Sequence, residues 1–366
     1  RGEKGVRGWM EGLDNGTVLT GHARFEGPRQ VRVGDDVLEA ERIFINTGGR
    51  ALVPAMPGLA EVPYLTNSTI LDLDRVPDHL LVVGGSYIGL EFAHAFRRFG
   101  ARVTVIELAD QLITREDPEI SEAVRMILAD EEIDIRLGAT CLSVEKGGEG
   151  VTLRLDCGDG PPAVSGSHLL LAVGRRPNTD DLGLDKAGVA TDKRGYITVD
   201  DQCRTNVPGI WALGDVNGRG AFTHTSYNDY EIVAANLYDN DPRKISDRIP
   251  CYGLFIDPPL GRVGLTEREA KARGGTVLVG KLPMARVGRA RERAETKGLM
   301  KVVVDGATQK ILGAALLGIG GDEVAHTLLA VMAAGAPYTA ITRTMMAHPT
   351  VSEYLPTLLG DLEPAV

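Results

Sequence analysis

Glycines at positions 84, 85 and 89, with Ser86, Tyr87 and Ile88 between them, stand directly after the apolar run Leu80 to Val83. Glycine lets a chain bend tightly and lets a ligand come close to the backbone. The stretch that follows ends in Arg102-Val103-Thr104-Val105-Ile106-Glu107. Strand, glycine turn, helix, strand and terminal acid are the parts of a βαβ unit that binds a dinucleotide. Its helix N-terminus offers free N–H groups and the positive end of a dipole to a pyrophosphate. The Glu107 carboxylate can accept hydrogen bonds from a ribose. Ser86 stands where the G-x-G-x-x-G pattern has its middle glycine, and serine keeps the backbone approachable if its φ is negative. No arginine stands at 108–112 to meet a 2′-phosphate, which favours NAD over NADP. The plain alternative is a glycine-rich turn in an ordinary α/β fold.

Two further constellations carry chemistry. Asp215 follows Gly214 at the end of the apolar segment from Ile210, and an acid there can hydrogen-bond a sugar-like hydroxyl. His348 precedes Pro349, with Glu353 five residues on. Histidine exchanges protons near neutral pH, and a carboxylate can orient its ring if the turn at Pro349 brings Glu353 back. The plain alternative is a surface histidine. His22, His79, His94, His168 and His326 share no metal-like spacing and read as structural, so no metal site is expected. Cys141, Cys157, Cys203 and Cys251 form neither a C-x-x-C nor a C-x4-C pair and read as reduced thiols.

The elements that must hold these residues are legible in the periodicity. Ile88, Phe92, Ala95, Phe96 and Phe99 recur at helical spacing, and Gly100 ends that helix. Asp117-Pro118 opens another, with Ile120, Val124, Ile127 and Leu128 on its apolar face. Residues 1–47 read as β-rich, with runs at Thr17 to Thr20, Ala23 to Phe25 and Gln30 to Val33. Cys141 to Glu145 and Val151 to Leu155 flank Gly147-Gly148 as a hairpin, and His168 to Val173 is a buried strand. From Ile249 on, five strands alternate with helices at Thr266 to Ala272, where Thr266 and Glu269 make a capping box, and Gly321 to Ala334. Tyr338 to Met346 and Val351 to Leu359 read as helices.

The 366 residues suit two or three domains, and 43% hydrophobic content suits sizeable cores. A formal net charge of −10 does not invite a nucleic-acid backbone. No apolar run reaches transmembrane length and the N-terminus has no signal core, so the expected location is cytoplasmic, with no membrane partner.

In order, these motifs resemble the flavoprotein pyridine nucleotide–disulfide oxidoreductases, in particular the mercuric-reductase-like and dihydrolipoamide-dehydrogenase-like subgroup. Asn46-Thr47-Gly48 looks like that family's Ala-Thr-Gly turn, and the run from Ala172 through Gly174 to Asn178 like its return into the FAD domain. Ala212-Leu213-Gly214-Asp215 looks like the second FAD motif, and His348 to Glu353 like the motif that supplies a catalytic His–Glu pair. The resemblance implies FAD and NAD(P)H as cofactors, with NADH favoured. It implies Thr47, Gly48, Gly174, Gly214, Asp215, Phe222, Thr223 and His224 at the flavin, and Glu91 near the nicotinamide. It implies a homodimer, and the apolar face around Val324, Leu328 and Val331 is a candidate contact or, equally, core.

The expected fold is α/β: doubly wound, Rossmann-like FAD- and NAD(P)-binding domains plus a C-terminal α+β dimerisation domain. Its expected segments are 1–73 (remainder of the first FAD segment), 74–173 (NAD(P)H), 174–247 (second FAD segment) and 248–366 (dimerisation). The expected activity passes hydride from NADH via flavin to a disulfide or related small-molecule acceptor. Alternatives are a flavin oxidase or quinone reductase, a mercuric-ion reductase, and a nucleotide-binding fragment without turnover. The tail from Thr357 to Val366 lacks the vicinal cysteines of mercuric reductases, which argues against mercury. The family's first FAD fingerprint and redox C-x4-C would lie upstream of Arg1, so the chain as numbered is expected to be N-terminally truncated and not to reduce disulfides by itself.

Overall fold

A computed structural model describes residues 2–148, 150–156 and 161–365; Cys157 lies outside them. The chain divides into two compact units, one of Arg1–Arg50 with Arg175–Arg248 and one of Ala51–Gly174 with Ile249–Val366.

The larger unit contains a four-stranded parallel sheet in the order His168–Leu171, His79–Val83, Arg102–Ile106, Asp134–Arg136. In the strand His79–Val83 the run Leu80 to Val83 is unbroken and apolar, because both faces of the sheet are covered there. Leu80 and Val82 point to one face and pack with Leu90 and Ala93 of helix Tyr87–Arg98 and with Ile120, Val124 and Leu128 of helix Pro118–Asp130. Leu81 and Val83 point to the other and pack with Val144, Val151 and Leu153 of the hairpin Thr140–Gly147 and Gly150–Asp156. This alternation is the two-residue period of a strand.

The same unit contains a six-stranded antiparallel sheet in the order Cys251–Leu254, Leu260–Gly264, Ile311–Leu317, Leu299–Asp305, Val277–Pro283, Leu362–Pro364. Helix Gly321–Ala333 packs on it. Helix Glu267–Ala272 starts at the expected capping box, with the Thr266 side chain accepting from the Glu269 N–H. The smaller unit holds a three-stranded antiparallel sheet, Ala23–Gly27, Gln30–Val33 and Asp36–Glu39, and a parallel pair, Ile43–Ile45 with Ile210–Ala212. Helix Thr223–Ala234 follows.

Several local expectations are corrected. Gly2–Glu11 is a helix, supported by an i,i+4 pair between Arg7 and Glu11, and Thr17 to Thr20 forms no strand. Glycines at 2, 5 and 8 hide that helix from a propensity argument. The buried face of helix Tyr87–Arg98 is Gly89, Leu90, Ala93, His94 and Phe96, not the stripe ending at Phe99. Phe99 sits past the last turn, 65% exposed and edge-on to Phe96. The helical turn after Tyr338 covers only Thr339–Thr342, and the segment after Val351 divides into a 3₁₀ turn, Ser352–Tyr354, and helix Leu355–Gly360. Val324 and Leu328 are buried in the core of their own chain, so neither offers a free contact face.

Candidate functional site

The glycine turn is shaped by close approach. Gly84 has φ +116°, and a Cβ there would stand 2.4 Å from the Ala172 carbonyl oxygen. A Cβ on Gly89 would stand 2.0 Å from the Gly84 carbonyl oxygen, so only glycine lets the helix start so near its strand. Ser86 is exposed, with φ −108° and ψ −173°, a conformation open to any L-residue. No side chain caps the helix that begins at Tyr87, and Ile88 lies half-buried in its first turn. An uncapped 12-residue helix behind a glycine turn is a fit for a phosphate group.

Glu107 is fixed to that turn. Its Oε2 accepts from the Gly85 N–H at 2.6 Å and its Oε1 from the Ala109 N–H at 2.8 Å. Each oxygen keeps a lone pair for a further donor. Glu91 is half-buried in the same helix and accepts from the Phe255 N–H at 2.9 Å; burial pushes its carboxyl up from the usual range. Gly174 takes φ +135° beyond the strand His168–Leu171, and its carbonyl accepts from the Leu52 N–H.

In the smaller unit, Thr47 Oγ1 donates to the Asn178 carbonyl and Asn178 Nδ2 donates back to the Thr47 carbonyl, both at 2.9 Å. The Asn178 N–H also donates to the carbonyl of Gly48, which has φ +66°. Asp215 lies on the 3₁₀ turn Gly214–Asn217, with its half-buried carboxylate 3.4 Å from the Arg175 guanidinium. Phe222 and His224 stack at 5.2 Å across the start of the next helix, with Thr223 exposed between them.

Sequence reasoning missed what holds this turn. Asp229 is 1% exposed and accepts from the Gly214 N–H and from Asn217 Nδ2, both at 2.8 Å. Arg248 closes on its other oxygen. Asp229 lies within a helix after the Gly-Asp motif, and only its burial marks it; no spacing rule points there.

His348 and Glu353 meet. His348 Nδ1 lies 2.8 Å and 3.1 Å from the two Glu353 oxygens. A carboxylate only accepts, so Nδ1 carries a hydrogen and Nε2 is left to exchange a proton. The His348 side chain is 79% exposed, whereas Glu353 is largely covered.

A family model for pyridine nucleotide-disulphide oxidoreductases matches residues 6–229, and a model for the dimerisation domain of these enzymes matches residues 251–359. The chain belongs to the pyridine nucleotide-disulphide oxidoreductase family. Among its relatives, "Probable pyridine nucleotide-disulfide oxidoreductase RclA" of Escherichia coli (strain K12) is 38% identical over 94% of this chain and 78% of its own length. A mercuric reductase of Streptomyces lividans is 35% identical over 92% of this chain and 72% of its own length. A dihydrolipoyl dehydrogenase of Thermus scotoductus is 33% identical over 96% and 76%. The solved structure of "HOCl-induced flavoprotein disulfide reductase RclA from Escherichia coli" is 36% identical, with a TM-score of 0.91 over 98% of this chain and 82% of that one.

Family membership makes this chain an FAD-dependent NAD(P)H oxidoreductase of the disulfide-reductase class, with the α/β architecture and C-terminal dimerisation domain expected from the sequence. The residues present fit both nucleotides. The uncapped helix and Glu107 suit a pyrophosphate and a ribose, and the carboxylate of Asp215 suits a polyhydroxyl chain. Among the described residues, no helix is long and apolar enough to cross a membrane.

Proposed function

We propose that this enzyme takes its electrons from NADH and delivers them to a disulfide or a closely related acceptor, with His348 handling the thiol proton. The observation that carries the acceptor side is the exposed His348 ring held at Nδ1 by Glu353. On the donor side the supporting observation is Glu107, whose carboxylate is set by two backbone N–H groups at the end of its strand. A fixed anion there accepts from a ribose 2′-hydroxyl and repels a 2′-phosphate. Gly84, Gly85, Ser86, Tyr87, Ile88 and Gly89 hold the pyrophosphate side, and Glu91 lies one helical turn further on.

The FAD group, when bound, supplies two-electron transfer between nicotinamide and acceptor. In this reading Asp215 holds its ribityl chain, Arg175 and the Asp229-anchored turn hold Asp215 in place, and Thr47, Gly48, Gly214, Phe222, Thr223 and His224 complete the flavin-side wall of the smaller unit. Reduction of a disulfide takes two electrons and two protons; NADH supplies the electrons as hydride. His348 holds one of the protons at Nε2 and gives it to the departing thiolate, while Glu353 keeps the ring oriented and stabilises its charged form. The proposed segments are 1–73, 74–173, 174–247 and 248–366, with two copies joined through the last.

Binding isotherms for NADH and NADPH, followed by turnover with a small aromatic disulfide, test this reading on the FAD-loaded, full-length protein. The expected result is tighter NADH binding and disulfide-dependent NADH oxidation. Tighter NADPH binding overturns the donor assignment, and NADH oxidation that needs only oxygen or a quinone overturns the acceptor assignment.

A further inference from the structure

Beneath the glycine turn lies a buried charged group that the proposed reaction does not use. Glu116 and Arg262 are both fully buried, 0% and 2% exposed, and their charged ends lie 3.5 Å apart. Arg262 Nη1 and Nη2 and Glu116 Oε2 make no hydrogen bond to any described residue. A buried ion pair returns its desolvation cost only when its remaining hydrogen-bonding sites are filled. This one is therefore a poor stabiliser, and unfilled buried groups concentrate where a structure serves something other than stability.

The other Glu116 oxygen has a clear direction. Oε1 accepts from the Tyr252 hydroxyl at 2.8 Å and faces the Tyr87 hydroxyl at 3.4 Å. The rings of Tyr87 and Tyr252 meet edge to face, with centroids 5.3 Å apart at 84°. Strand register explains how these groups converge. Tyr252 and Arg262 are direct partners across the antiparallel pair Cys251–Leu254 and Leu260–Gly264, so their side chains share one face of the sheet. Glu116 is brought to that face by a turn tied to the nucleotide motif itself. The Ile113 N–H donates to the Gly85 carbonyl, and the Glu116 N–H donates to the Ile113 carbonyl. Burial pushes both tyrosine hydroxyls and the Glu116 carboxyl up, so the tyrosines stay protonated donors.

We infer that Glu116, Tyr252 and Arg262 are positioning residues that set the ring of Tyr87 beside the dinucleotide-binding turn. Arg262 opposes the upward push of burial on the Glu116 carboxyl, Glu116 holds the Tyr252 hydroxyl, and Tyr252 with Glu116 fixes one orientation of Tyr87, the first residue of the pyrophosphate helix. This role rests on the proposed nucleotide site. It places part of a nicotinamide-nucleotide determinant, Tyr252 and Arg262, on the antiparallel sheet rather than on the glycine turn.

The test uses the full chain, with fluorotyrosine placed at position 87 and NADH as the ligand. Tyr252→Phe removes one hydroxyl and keeps the ring, so it is the primary variant. Glu116→Gln is the second, because it leaves Arg262 buried without a counter-charge and risks the fold. We expect Tyr252→Phe to weaken NADH binding about tenfold, because a Tyr87 ring no longer held in one orientation must be ordered when the nucleotide binds. The fluorine signal should shift or broaden before any ligand is added, and the unfolding midpoint should fall with the hydrogen bond lost to buried Glu116. In a double-mutant cycle with Tyr87→Phe, the two losses should not add. A purely structural tyrosine would lower the midpoint, leave NADH binding unchanged and leave the cycle additive. If the parent chain binds NADH and Tyr252→Phe binds it equally well with an unmoved fluorine signal, the inference is overturned on its own. If the parent chain does not bind NADH, the nucleotide site falls first and this role falls with it.

Discussion

At the scale of single residues, His348 and the cysteines make opposite predictions. His348 acts on a thiol proton, so in the full-length protein His348→Gln should slow disulfide reduction by about 10²–10⁴-fold, the usual loss for a general acid or base. NADH affinity should not change, because the histidine is not part of the nucleotide motif. Steady-state turnover set beside a binding isotherm checks both halves, and an equal loss in binding would remove the assignment. The described thiols behave differently. Burial pushes Cys141 to about 11 and Cys203, with help from nearby Asp229, to about 12. Only the thiolate is a good nucleophile, so at neutral pH neither should react with iodoacetamide in the folded protein. Mass spectrometry of labelled peptides reads this directly; both should label quickly once the chain is unfolded.

At the scale of elements, the strand–turn–helix unit depends on a distance that no side chain can relax. A Cβ on Gly89 would collide with the backbone oxygen of Gly84 and also press on Val82. Gly89→Ala must therefore lift the helix N-terminus off strand His79–Val83 or distort the turn. Overpacking of this kind typically costs about 1–3 kcal/mol, and the displaced N–H groups would no longer aim at a phosphate. We expect a lowered denaturation midpoint together with loss of NADH binding. A variant that binds NADH normally would mean that the helix N-terminus does not hold the pyrophosphate. Gly85 is tight for a different reason, since its Cβ would press on the Glu107 and Leu112 side chains rather than on backbone.

At the scale of the whole molecule, the larger unit should be acid-sensitive. Lys301 is 1% exposed and donates to Asp117 at 2.9 Å and Glu119 at 2.7 Å, with Glu267 at 2.8 Å. Burial alone would raise these carboxyls, but hydrogen bonds from Lys301, Lys281 and Lys271 outweigh it. Asp117 and Glu267 end below their ordinary range, and Glu119 at about 2. Glu131, bonded first by Arg98 and then by His94, is also held at about 2. Folded pKa values below the unfolded ones mean that the unfolded chain binds protons first as pH falls. The stability these groups contribute is whole above about pH 4.5 and is lost on the way down to about pH 2. Denaturant melts at pH 7, 5, 4 and 3 should show the decline, and a midpoint that stays level to pH 3 would contradict it. Lys301→Met should flatten the decline while lowering the midpoint at pH 7, because it leaves three carboxylates facing one another without their shared cation. Assembly belongs to this scale too. Two copies should sediment as a dimer at micromolar concentration, and a stable folded monomer would refute the proposed pairing. Val324 and Leu328 are already buried within one chain as core, while Val331 of the same face stays half-buried.

What the sequence settled by itself was whatever depends on neighbours along the chain. The turn at Gly84 to Gly89, the strand ending at Glu107, the helix opened by Asp117-Pro118 and the Thr266 capping box follow from backbone chemistry and periodicity, and they stand where expected. Motif order was enough to name the family. Where local signals were poor the reading failed: glycines obscured the helix Gly2–Glu11, and periodicity alone put Phe99 on a buried face that ends at Phe96. Groups distant in sequence were decided only by the tertiary structure. Asp229 reaches the Gly214 turn because a helix folds back on it. Arg262 and Tyr252 reach Glu116 because strand register aligns them and because the Ile113 amide ties the Glu116 turn to Gly85. Burial turns such residues from ordinary surface charges into positioning groups. Burial is a property of the packed molecule, and no spacing along the chain encodes it.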